Sequence, residues 1–183
     1  MVQVIARART TVKGKILLTA AAIVGSVALP QLVHLAGRAA GVGNALGELL
    51  LPMHFFVLLA GLLAGPMVGA ATGACAPLIS YLLSGMPRAA VLPFMTLELI
   101  GYGLAAGLLS KTKMPSICKL LIAQVSGRLL RALATLVAVG AFDVTGISAA
   151  SVWTAVVTGL VGILLQWCIL PLVLFRLNAS EDA

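Results

Sequence analysis

The chain has 183 residues, of which 61% are hydrophobic and only 9% charged, and a formal net charge of +7. Its mean hydropathy is +1.15. A water-soluble domain carries about a quarter of its residues as charges, so these values exclude a soluble fold and require most side chains to face lipid or other apolar helices.

The positive excess does not mark a nucleic-acid surface. The basic residues gather at the chain ends and in one loop, as topology signals do. Cys75, Cys118 and Cys168 are far apart and lack any CxxC or Cys/His spacing, which argues against disulfides and structural zinc.

In chain order, residues 1–15 form a basic segment with Arg7, Arg9, Lys13 and Lys15 and no acid. An apolar stretch from Ile16 to about Ala36 follows, broken by Pro30. Basic, apolar and small residues in that order also describe a secretory signal. Further hydrophobic spans follow, so the stretch reads as a retained first helix. The Gly-rich segment Gly37 to Gly47 makes a first outer loop.

The uncharged run Leu49 to Ser84 would be roughly 50 Å long as one helix, more than a bilayer needs. Gly65-Pro66 near its middle predicts a tight turn between two spans. Gly85-Met86-Pro87-Arg88 ends the third span, and Ala89 to Leu109 is the fourth. Lys111, Lys113, Pro115 and Lys119 mark the next loop and the start of a fifth span reaching about Phe142. After Asp143 to Ser151, a sixth span extends to Phe175, and Arg176 precedes a short tail with Glu181 and Asp182.

The expected fold is an all-α integral membrane protein: six transmembrane helices over residues 16–176, a short cytoplasmic tail over 177–183, and both termini cytoplasmic. Under that topology the inner segments hold Arg7, Arg9, Lys13, Lys15, Lys111, Lys113, Lys119 and Arg176, and the outer loops only Arg38 and Arg88. This agrees with the positive-inside rule for a multi-pass membrane protein.

Small residues cluster in the third span (Gly69, Ala70, Gly73, Ala74 and Ala76), where they predict close packing within the bundle. In the first span, Ala20, Ala21, Ala22, Gly25 and Ser26 fit either internal packing or a partner's surface.

Ionisable residues inside the spans are costly unless they face a cavity or a partner. By helix rise, His54 lies about 9 Å and Glu98 about 15 Å from the outer ends of their spans. Arg128 and Arg131 lie about 20 and 24 Å from Pro115. Gln124, Arg128 and Arg131 share one face by their spacing. A polar pocket opening outward is expected.

Glu98 can pair with one arginine as a structural ion pair, leaving the other for an anionic group of a ligand. Asn44, Tyr81, Gln124 and Trp153 are further candidates for the pocket, although Tyr81 and Trp153 also fit interface anchors. His34, Met53 and His54 are residue types that ligate haem iron or a transition metal, but no fixed-spacing motif supports that role. No Walker A, GxSxG, HExxH or acidic-cluster motif is present, so no enzymatic activity or bound cofactor is expected in this chain.

Taken in order, several stretches resemble one family. They are Leu51 to Gly61 (LPMHFFVLLAG) with Ala64-Gly65-Pro66, Ala76 to Ser80 (APLIS), Leu83 to Pro87 (LSGMP) and Glu98 to Gly103 (ELIGYG). Gly127-Arg128 and Gln166 ahead of Pro171 complete the set.

The chain is thus similar, over roughly residues 16–176, to the substrate-binding S components of energy-coupling factor (ECF) transporters. The resemblance implies a six-helix, multi-pass subunit of a prokaryotic plasma membrane that captures a vitamin-like micronutrient. It would associate with a transmembrane coupling protein and two cytoplasmic ATPases that hydrolyse ATP, and topple in the membrane to release its cargo inside. It further implies contact of Ala21, Ala22 and Gly25 with the coupling protein.

In the metal-specific branch a Met-His pair stands at the extreme N-terminus, whereas Met53-His54 is internal, which argues against nickel or cobalt. A ligand-free assembly subunit or small channel is the competing reading.

Overall fold

The structure, a computed structural model, describes residues 10–142 and 150–179. Arg7, Arg9, Asp143, Glu181 and Asp182 of the sequence reading lie outside them. Every regular element among the described residues is an α-helix: α1 (Val12–Ala39), α2 (Ala45–Leu50), α3 (Pro52–Ala64), α4 (Pro66–Ser84), α5 (Leu92–Leu109), α6 (Ser116–Phe142), α7 (Ala150–Thr158) and α8 (Leu160–Ala179). Six stretches are long and apolar enough to cross a bilayer, with α2 and α3 together making the second.

Helix α1 opens on Thr11, whose hydroxyl oxygen accepts the Gly14 N–H at 3.1 Å, a side-chain N-cap that satisfies one orphan donor. It then runs unbroken through Pro30, where the sequence predicted a break. A transmembrane helix tolerates an internal proline because neighbouring helices re-satisfy the freed backbone groups.

The helix closes in a Schellman motif: Gly41 at φ 75 donates to the Arg38 carbonyl at 3.1 Å, and Val42 to Gly37 at 2.9 Å. The predicted Gly-rich loop therefore shrinks to residues 40–44.

Two further boundaries differ from the sequence reading. The second span divides at Leu51, a non-glycine residue in the left-handed region (φ 48, ψ 48). The sixth divides at Gly159, with α7 before it and α8 after it. The turn predicted at Gly65-Pro66 is present. Gly65 adopts φ 95, which L side chains rarely reach, and Pro66 starts α4 with its φ already set.

Helices α3, α4 and α5 form the centre. A Cβ on Gly69 would lie 2.7 Å from the Gly61 Cα, and one on Gly73 would lie 2.5 Å from the Leu99 carbonyl carbon. The three backbones thus approach to near contact, the arrangement small residues permit in a membrane. Around this interlock, Val57, Leu58, Leu99, Tyr102, Ala106, Leu120, Ala123 and Leu170 make the buried core. Aliphatic side chains such as Leu82, Leu108 and Leu133 remain exposed on the outside, as lipid contact requires.

The small residues of α1 do not act together. Ala22 packs against Ala60, Ala64 and Val68, and a Cβ on Gly25 would touch the Phe56 ring at 2.7 Å. Ala21 lies on the exposed face.

Candidate functional site

The site begins with a second glycine contact. A Cβ on Gly101 would lie 2.9 Å from the Gly127 Cα, so α5 and α6 meet backbone to backbone there. Glu98 sits one turn before Tyr102 on α5, and Arg128 and Arg131 flank the same level of α6. The close approach lets all four side chains meet.

Glu98 is fully buried and both of its oxygens are engaged. Arg131 Nη1 donates to Oε2 at 2.8 Å and the Tyr102 hydroxyl to Oε1 at 3.0 Å. Arg128 Nε stands 3.0 Å from Oε1. That nitrogen makes no hydrogen bond, so its contact is ionic without an aligned N–H. The sequence reading paired Glu98 with one arginine. The structure pairs it with both, which leaves one positive charge in excess.

These arginines border a cavity of about 430 Å³. Its buried end holds Met53, His54, Ser80, Arg128 and Arg131, and its wall includes Pro30, His34 and Met95. The exposed residues Glu48, Arg88 and Thr154 stand at its mouth.

Several nitrogens in this lining are buried without a hydrogen-bond partner in the protein: His34 Nδ1, His54 Nδ1, Arg128 Nε and Nη2, and Arg131 Nε. Buried polar groups are normally paired, and each exception calls for an explanation. The His54 ring also lies 5.4 Å from that of Tyr102, which carries the polar cluster from α3 through α5 to α6.

Not every sequence candidate borders the cavity. Glu98 stands behind the arginines and is not among the lining residues. Gln124 is engaged elsewhere: its Nε2 donates to Gln166 Oε1 at 2.9 Å, and its Oε1 accepts the Trp167 indole N–H at 2.7 Å. Gln166 in turn donates to the Leu51 carbonyl at 3.3 Å, tying α6 and α8 to the α2–α3 break.

Asn44 donates to Met86 Sδ at 3.9 Å and so braces a lining residue from outside. Tyr81 is half-buried away from the lining, and Trp153 is 71% exposed. Its neighbours Thr154, Ala155 and Thr158 occupy the cavity side of α7.

Sequence reasoning passed over Glu48, Ser80, Met86, Arg88, Met95, Thr154 and Thr158. For Glu48, Arg88 and Thr154 the only available signal was their position near the helix ends that form the mouth. Among the described residues no three His, Cys, Asp or Glu side chains converge as a metal site.

The cavity and the lysines lie at opposite ends of the same helices. His34 is near the C-terminal end of α1, and Lys13 and Lys15 are in its first turn. Met95 is in the first turn of α5, whose other end leads to Lys111 and Lys113.

Comparison with curated proteins and with solved structures gives no match. The family model for the ECF transporter, substrate-specific component, matches residues 14–174. Nearly the whole membrane bundle falls within that match, and the chain belongs to the family of ECF transporter substrate-specific components.

Proposed function

We propose that this chain captures a vitamin-like micronutrient from outside the cell, and that a transmembrane coupling protein and two cytoplasmic ATPases drive its release inside. Family membership supports a substrate-specific membrane subunit of a transporter. The cavity supports the capture role: it is of ligand size, and its buried end carries unpartnered nitrogens of His54, Arg128 and Arg131. That observation carries the reading.

The positive-inside rule puts the lysine-bearing end and both termini in the cytoplasm, and hence the cavity mouth outside. The chain contains no motif for hydrolysing ATP, so the energy for accumulation comes from its partners.

Native mass spectrometry of the purified protein tests this reading. A retained small molecule, lost when the cavity is blocked, and ATPase subunits in the co-purified complex are the expected results. A protein that retains no molecule, is stabilised by no nutrient and binds no ATPase is instead a ligand-free assembly subunit or channel. Haem or a metal as cargo would appear as a retained porphyrin mass or a metal signal.

A further inference from the structure

We propose that the molecule bound in this cavity is a small organic acid, with its carboxylate on Arg128 and Arg131 at the buried end and a flat apolar body against Met53 and Met95. This rests on the reading of the chain as a substrate-binding subunit and adds the ligand's charge and orientation.

Three observations converge on it. The first is charge. Two guanidinium groups share one carboxylate, and a buried excess charge is strongly unfavourable unless a counter-charge meets it. No other acid pairs with either arginine among the described residues. The acid at the mouth, Glu48, is exposed.

The second is donor geometry. Arg128 Nη2 and Arg131 Nε are buried without partners, while the Arg128 and Arg131 side chains are only 13% and 11% exposed. A carboxylate accepts from such forked donors through both oxygens. Glu98 pairs with both guanidinium groups without lining the cavity itself and serves as a positioning residue for them.

The third is the remaining lining. Met53, Met95, Pro30 and Val91 offer apolar contact, and methionine adapts its shape to a ring. A cavity of about 430 Å³ lies within the range of small-molecule sites, about 300–1,000 Å³, and leaves room for a small ring system. The same charge balance disfavours a free metal cation at His34 and His54, because the arginines outnumber the acids in and behind the lining.

The test uses the purified full chain in detergent with three probes of matched shape: naphthoate, naphthamide and naphthylmethylamine. Thermal unfolding and equilibrium binding are measured for each at equal concentration. Naphthoate is expected to raise the unfolding temperature and to bind about tenfold or more tighter than naphthamide, the factor a charge-assisted hydrogen bond supplies. Naphthylmethylamine is expected to give no shift.

Equal binding of the acid and the amide, stronger binding of the amine, or no shift with any probe overturns the acid assignment. These comparisons use the unaltered protein and so do not depend on a variant folding. Arg131→Gln, where it folds, is expected to abolish the preference for acid over amide, and a preserved preference overturns the placement. Capture itself is judged separately by retained mass and ATPase co-purification, so a retained neutral molecule overturns the acid and leaves capture standing.

Discussion

Replacing Glu98 by glutamine removes one charge and almost no volume, which isolates the electrostatic role of the buried carboxylate. In the native cluster that carboxylate receives Arg131 at 2.8 Å, Tyr102 at 3.0 Å and Arg128 at 3.0 Å. At an effective dielectric of about 20, a unit pair at about 4 Å is worth about 4 kcal/mol before desolvation. Deleting one partner of a buried pair costs about 3–5 kcal/mol, because the other charge is left uncompensated.

Two features place Glu98→Gln at the lower end of that range. The amide oxygen still accepts one hydrogen bond, and both arginines reach the cavity with slightly exposed side chains. The expected loss is therefore about 3 kcal/mol, read by equilibrium unfolding in mixed micelles with helical ellipticity as the signal.

A double-mutant cycle sharpens the test. Arg131→Gln should cost less on the glutamine background than on the parent, with a coupling of about 1–3 kcal/mol. A Glu98→Gln protein within about 0.5 kcal/mol of the parent, the range of an ordinary surface substitution, or a strictly additive cycle, would refute the account of the cluster.

Four further substitutions probe separate parts of the protein. Gly103→Ala would drive a methyl group into the Gly69 carbonyl and to 2.9 Å from the Ala70 nitrogen, an overpacking cost of about 1–3 kcal/mol. Gly140→Ala meets nothing within 4 Å and should stabilise α6 by about 0.5–1 kcal/mol; the same unfolding assay reads both. Gln124→Leu leaves the Trp167 indole and the Gln166 amide without their partners. It should cost about 1–3 kcal/mol and shift tryptophan emission, and unchanged emission would contradict the network. Ala155→Phe projects a ring into the cavity from α7 and should reduce the retained small molecule in native mass spectra, while its unfolding midpoint stays near that of the ligand-free parent.

The spans were legible because lipid imposes length and apolarity, and Gly65-Pro66 stood out because the run around it was too long for one crossing. The breaks at Leu51 and Gly159 had only single breaker residues, Pro52 and Gly159 themselves, and membrane helices run unbroken through such residues elsewhere in the chain, as at Pro30 and Pro171. Leucine is a poor residue for the left-handed region, and two bonds hold it there: the Gln166 amide donates to its carbonyl across the bundle at 3.3 Å, and its own N–H donates to the Gly47 carbonyl one turn back at 3.2 Å.

The ionisable residues of the site were visible because burial makes them expensive, and His54, Arg128 and Arg131 do border the cavity. Gln124 shares their helical face but finds Gln166 and Trp167 first, a pairing across α6 and α8 that spacing within one helix cannot reveal. Glu48, Arg88 and Thr154 sit in exposed ends where polar side chains cost nothing, so nothing in the sequence set them apart.

The same economy of burial explains why the cluster sits on α5 and α6. An arginine facing lipid near the middle of a span costs about 2.5–3.5 kcal/mol on insertion scales, so Arg128 and Arg131 need a protein surface close enough to supply a counter-charge. The Gly101–Gly127 contact supplies that proximity, and Glu98 supplies the charge. One carboxylate cannot neutralise two guanidinium groups, however, and a second acid at the same level would seal the cavity's buried end. Leaving one charge unbalanced keeps the site stable enough to fold and still unfavourable enough to gain from an incoming anion. Ligand occupancy and stability are thereby coupled: the occupied protein should unfold later than the empty one by the amount the second arginine lacks a partner.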